Sequence, residues 1–206
     1  MEIKNVRVYG LEESMIRSGY PMRAGEPEDF HIKLYRPQIL EDEYDISRDI
    51  ERSHKLAKTP NGSGHNNFLK GIIVQFDLKY PEYFSPQLQR YHWIDIVSSQ
   101  SKMHKITGRK LTKDDFTEST LSESIEFTNH LIQIYQDCQQ KDKDEYFSKI
   151  ISNLPSGYMK WMGISTNYLQ LKTIYLQRRH HKLKEWQEFC NFIETLPMSE
   201  LITNKK

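Results

Sequence analysis

Between His65 and Ser101 the chain gathers two imidazoles, several amides, an arginine and several hydroxyls around one strand-like run: HNNF, then GIIVQFDL, then SPQLQRYHWIDIVSSQS. Such a mixture of donors suits a phosphate and a planar heterocycle better than it suits an apolar core. Gln87 and Arg90 stand three residues apart, so on a helix they share a face. Ser85-Pro86 is a good helix start, with a hydroxyl N-cap and a proline at the first position. Free N–H groups and the positive end of the helix dipole would then favour an anion nearby. The planar guanidinium of Arg90 could grip that anion at two points. The plainer alternative is a surface arginine paired with a glutamate. Ser98-Ser99-Gln100-Ser101 adds three hydroxyls and an amide, which fits a phosphate-binding turn or an ordinary helix end.

A second cluster is Gln177-Arg178-Arg179-His180-His181-Lys182. Adjacent helix positions differ by about 100°, so Arg178 and Arg179 cannot both face one cleft. One is expected to point inward and the other to solvent. The functional reading is an arginine that stabilises negative charge on a heterocycle or a phosphate. The alternative is a solvated helix terminus, where cations suit the dipole. The histidine pair lacks a carboxylate at metal-binding spacing, so no metal site is expected. Neither GxSxG, a P-loop nor GxGxxG occurs, which leaves no support for a serine hydrolase, a Walker site or a Rossmann site. Cys138 (QDCQQ) and Cys190 (EFCNF) sit in helical patterns and read as buried, unactivated thiols.

The elements that must position these groups form an α+β pattern: a small antiparallel sheet packed with long helices. Residues 2–9 alternate as a strand, and Leu11 to Arg17 reads as a short helix. Residues 25–37 read as loop with one strand, FHIKLY. Ile46, Ile50, His54 and Ala57 predict a helix over 43–58, broken by TPNGSG. Ile72 to Leu78 is a β-rich strand closed by Tyr80-Pro81. The helix from Ser85 is expected to run through QLQRYHWIDI, followed by a polar loop over 105–117. Glu118 to Gln140 carries two apolar stripes and predicts a long helix buried on a broad face. Asp142 to Asn153 is a further helix. Met159 to Thr166 is a strand, Asn167 a cap for the next helix, and Leu183 to Ile193 the last helix. The end of the chain, 198–206, is expected to fray.

The 206 residues suit one domain, 1–206. Lys and Arg total 29 against 28 for Asp and Glu, a net charge of +1. That balance gives no footprint for nonspecific binding of nucleic acid. MEIKNVRVYG lacks the apolar run of a secretory signal, and no segment approaches the roughly 18–20 apolar residues of a membrane span. Two cysteines without a CxxC pair suggest a reducing, intracellular setting. With 12 Tyr, 9 Phe and 3 Trp the chain is rich in rings that pack a core or stack on a flavin or base.

In their order, these segments resemble the flavin-dependent thymidylate synthases. His65 and Phe68 match that family's HxxF, followed by a strand; Gln87 and Arg90 match its QxxR. Leu154-Pro155, Ser165-Thr166-Asn167, Arg178 or Arg179, and KEWQEF then follow in family order, so the resemblance spans roughly residues 60–195. It implies FAD held by His65, Arg90, Tyr91, His92 and Asn167. It implies a pyrimidine deoxynucleotide held by Gln87, Ser99, Ser101 and Arg178, and a catalytic arginine at Arg178 or Arg179. Counting from Asn167 favours Arg178; counting back from Trp186 favours Arg179. The implied reaction is C5 methylation of dUMP to dTMP or a close variant. NADPH would reduce the flavin and methylenetetrahydrofolate would supply the carbon, in a cytoplasmic homotetramer whose sites draw on several subunits. The chain departs from the family where RHR becomes Arg90-Tyr91-His92 and where Met103 and His104 replace an arginine and a tyrosine. These departures keep two alternatives open: another 5-substituted product, such as a 5-hydroxymethyl pyrimidine, and a non-catalytic relative that binds a nucleotide or a partner. Small size and substituted motifs also suit a copy carried by a phage.

Overall fold

The computed structural model describes residues 1–26 and 46–205. The strand expected at FHIKLY and the first residues of the helix expected from 43 lie outside the described residues. The described elements are β1 (Glu2–Tyr9), α1 (Leu11–Arg17), α2 (Ser47–Ala57), β2 (Ile73–Pro81), α3 (Ser85–Leu88), β3 (Asp95–Ser99) and α4 (Lys102–Lys105). They continue with α5 (Ser122–Asp137), α6 (Lys143–Asn153), β4 (Met159–Asn167), α7 (Tyr168–Arg178), α8 (Lys184–Glu194) and α9 (Glu200–Thr203).

The four strands form one antiparallel sheet in the order β1-β2-β4-β3. Backbone pairing shows the sense of β2 and β4: Tyr168 N donates to Ile72 O at one end, while Glu82 N donates to Tyr158 O at the other, each at 3.0 Å. One residue number falls as the other rises, as antiparallel strands require. Gly10 joins β1 to α1 with φ +71°, and a Cβ there would stand 2.6 Å from Gly71 O. Both the left-handed backbone and the close approach require glycine.

The chain forms two compact units. The first holds residues 1–4, 77–90 and 96–164; the second holds 5–76, 91–95 and 165–206. In the first unit, Ile106, Leu111, Phe116, Ile125, Leu131, Ile132 and Ile150 form a buried cluster. In the second, Trp186, Phe189, Phe192 and Phe76 make a chain of tilted and edge-to-face ring contacts with centroids 5.1–6.0 Å apart. Helix α9 packs on α7, α8 and α2.

Four expectations need correction. The helix from Ser85 is a single turn, α3, and residues 95–99 are strand β3 instead. Ser85 does not cap it; Phe84 occupies that position and no side chain caps the turn. The run IDIVSS is β-branched and alternating, and the Trp93 N–H is drawn to the Gln170 side chain rather than to a helical carbonyl. The long helix is Ser122–Asp137, shorter than expected, and it buries one face made of Ile125, Thr128, Leu131 and Ile132, with Phe127 51% exposed. The expected loop after residue 105 follows the single turn α4 and carries a capping box at Thr112 and Asp115. The segment expected to fray holds an ordered turn among its described residues: Leu201, Ile202 and Thr203 of α9 are buried.

Candidate active site

Two groups of residues in the second unit have the makings of a site. The first is built at the end of α7. Asn167 closes β4 and accepts the Gln170 N–H on Oδ1 at 2.9 Å, so α7 starts from a fixed cap. Leu171, Ile174 and Tyr175 are buried, which sets the rotation of the helix and brings Arg178 half inward at its last turn. The Arg178 Nε donates to the Tyr91 hydroxyl at 2.7 Å. Its guanidinium carbon lies 4.7 Å from the Trp186 ring centre and 5.6 Å from that of Tyr91. These distances are within the range at which a ring face attracts a cation. Tyr91 in turn donates to Gln177 Oε1 at 3.0 Å. Arg179 is exposed, with its guanidinium 5.9 Å from the Tyr175 ring centre.

The second group surrounds a cleft of about 400 Å³ lined by Lys70, Ile73, Trp93, Asp95, Ser165, Thr166 and Asn167. That volume is within the range of small-molecule sites. Trp93 is clamped by its backbone on both sides: its N–H donates to Gln170 Oε1 at 3.1 Å and its carbonyl accepts from Thr166 Oγ1 at 2.7 Å. The indole remains 51% exposed. A fixed, half-open indole beside an ammonium, hydroxyls, an amide and a carboxylate can stack a heterocycle and hydrogen-bond its edges and substituents.

His65 is exposed, on a loop pinned from beneath. Asn66 is buried and its Nδ2 donates to Thr59 O and Asn61 Oδ1. Lys172, 2% exposed, donates from Nζ to the carbonyls of Ala57 and Thr59. Burial pulls the Lys172 ammonium below the usual lysine range.

Of the residues named from the sequence, the structure brings Tyr91 and Arg178 into contact and places Asn167 on the cleft wall. His92 is exposed and packs edge-on against Trp93 at 4.7 Å. His65 and Arg179 are exposed elsewhere in this unit. Gln87, Arg90, Ser99 and Ser101 belong to the first unit; Gln87 is half-buried and the other three are exposed. Arg90 follows α3 rather than riding on it, so the helix-dipole argument for an anion at Gln87 and Arg90 does not apply to a four-residue turn. Cys190 is buried, and burial raises its thiol to about 11, well away from a nucleophile. No group of three or more metal-ligating side chains occurs among the described residues.

Sequence reading missed Trp93, Lys70, Asp95, Gln170 and the roles of Gln177 and Trp186. Trp93 fell inside the expected helix, which hid its exposure. Ser165 and Asn167 stand two residues apart on β4, which runs one residue further than the expected strand and ends on Asn167.

No protein-family model matches the chain, and no curated protein matches it. Its fold is that of solved flavin-dependent thymidylate synthases. The enzyme ThyX from Helicobacter pylori, complexed with FAD and dUMP, superposes with a TM-score of 0.66 at 15% identity, over 98% of this chain and 97% of that one. A second structure of the same enzyme with FAD and dUMP gives 0.63 at 14% identity, over 98% and 96%. The UMP/dUMP methylase PolB from Streptomyces cacaoi, bound with 5-Br dUMP, gives 0.58 at 12% identity, over 94% and 89%.

Proposed function

We propose that this chain is a flavin-dependent enzyme that transfers a one-carbon unit to C5 of a pyrimidine deoxynucleotide, converting dUMP to dTMP or a close variant. The observation that carries this reading is the seating of Arg178. Its guanidinium is held on one N–H by Tyr91 and backed by Trp186, which leaves its Nη groups as preorganised donors for charge developing on a pyrimidine ring. The fold shared with enzymes solved with FAD and dUMP supports the same reading.

The cleft at Trp93 has a donor set that fits part of a flavin or a nucleotide: an open indole for a ring, the Lys70 ammonium for a phosphate, and Ser165 and Asn167 for ring or sugar polar atoms. Exposed His65, Arg90 and His92 remain the candidates for further flavin contacts, and Gln87, Ser99 and Ser101 for the nucleotide. Bound FAD would supply hydride chemistry, with NADPH as its reductant and methylenetetrahydrofolate as the carbon source. The protein's share is orientation and electrostatics, and it needs no thiol nucleophile. A homotetramer in the cytoplasm belongs to the same proposal.

A second reading is a different C5 substituent, such as hydroxymethyl, on the same nucleotide. The side chains that differ from the family pattern, Tyr91, His92 and Met103, favour it, and two of them lie next to Trp93 or Arg178.

Spectroscopy tests the proposal directly. Purified protein mixed with FAD and passed through a desalting column retains the visible absorption of oxidised flavin, and adding dUMP perturbs it. Protein that retains no flavin and shows no dUMP-dependent change overturns the reading.

A further inference from the structure

Resting on the proposed function, we infer that Tyr91 is a positioning residue for Arg178 rather than a cofactor contact. A phenol hydroxyl has one proton to give and lone pairs to receive. Arginine can only donate, so the 2.7 Å contact with Arg178 must use a Tyr91 lone pair. The Tyr91 proton therefore goes to Gln177 Oε1, 3.0 Å away. The relay runs one way: Arg178 Nε–H to Tyr91, then Tyr91 O–H to Gln177. Each hydrogen bond strengthens its neighbour by polarisation.

The ring side is equally constrained. Tyr91 is 8% exposed and Trp186 fully buried. Their rings meet edge to face at 5.8 Å and 74°. The guanidinium rests within cation–π reach of both. Five N–H groups are available to an arginine, and this arrangement fixes the one on Nε, so the planar fork of Nη groups points along a set direction. Little of Tyr91 is left to touch a ligand.

Phenylalanine at 91 keeps the ring contacts and removes the relay. Tyr91→Phe is expected to lower kcat by about 100-fold, the scale of a misplacement of about 1 Å, with KM for dUMP and the FAD content changed by less than about threefold. Gln177→Leu lowers kcat in the same way, and Gln177→Glu, which keeps an acceptor, recovers most of that loss. Independently of turnover, the Arg178 Nε–H resonance in labelled protein is protected from solvent exchange in the native chain and loses protection in Tyr91→Phe. A Tyr91→Phe protein that loses FAD instead of kcat makes Tyr91 a cofactor contact and overturns the inference. So does a variant with an unchanged, protected Arg178 Nε–H. If the native chain neither binds flavin nor turns over, the proposed function fails, and the exchange measurement still decides whether Tyr91 holds Arg178.

Discussion

Arg178 and Arg179 are adjacent in the chain and differ in what the fold lets them do. Counting along the sequence from two landmarks gave each arginine one vote. The buried face of α7 decides their surroundings: Arg178 turns toward Tyr91 and Trp186, Arg179 toward solvent over Tyr175. We expect Arg178→Ala to lower turnover by roughly 100- to 1,000-fold, the usual result of removing one preorganised donor, and Arg179→Ala to lower it by less than about tenfold. Steady-state kinetics on the two variants checks this, and equal losses would return the ambiguity. Trp93→Ala is expected to weaken flavin or nucleotide binding by about 10- to 100-fold, since stacking on an aromatic ring contributes about 1–3 kcal/mol. Titration calorimetry reads that directly. Residue types near the site were legible in the sequence, as donors and rings in RYHWID and LQRRHH. Which of them face inward was not, because it is set by partners far off in the chain, Gln170 for Trp93 and Tyr91 for Arg178.

Among the elements, strands and helices with a local signal were readable to within a few residues, with the long helix expected over 118–140 trimmed at both ends to Ser122–Asp137. Residues 2–9 alternate and form β1; Leu11 to Arg17 forms α1. The segment after Ser85 was misread because its decisive interaction is long-range: Gln170 captures the Trp93 N–H from 77 residues away. The α9 turn was missed because ELIT is too short for any periodicity, although its two apolar residues are fully buried. Caps and internal props carry measurable stability. Asn167→Ala, which removes the α7 cap, is expected to cost about 1 kcal/mol in urea unfolding. His181 gives a pH dependence. Its Nδ1 accepts the Leu183 N–H at 3.1 Å, before α8. Partial desolvation, then the nearby charges of Arg178 and Lys182, hold its pKa below the usual histidine value of 6.5. The unfolded chain therefore takes up this proton first as pH falls. The contribution of His181 to stability is complete above about pH 6.5 and is lost as pH drops through the lower folded value. Melting temperatures between about pH 5 and 7.5 should show that slope in the native chain and a flatter one in His181→Asn; identical slopes would contradict it.

For the whole molecule, the α+β class with a small antiparallel sheet follows from the pattern of short alternating runs between long amphipathic ones. Near-zero net charge pointed away from nucleic acid, and no helix among the described residues is long and apolar enough to cross a membrane. Quaternary structure and cofactor identity depend on surfaces that periodicity does not reveal. If residues 1–206 are one domain, calorimetry shows a single unfolding transition; two separated transitions would make the two compact units independent. Light scattering should give the mass of four chains. The central claim, flavin-dependent carbon transfer to C5, is tested most directly by weighing the nucleotide. FAD-loaded protein incubated with dUMP, methylenetetrahydrofolate and NADPH is expected to yield a product heavier by one CH2, a methyl group in place of the C5 hydrogen, and to yield none when FAD is left out. Recovery of dUMP alone from the complete mixture, by protein shown to be folded and loaded with flavin, would contradict the account.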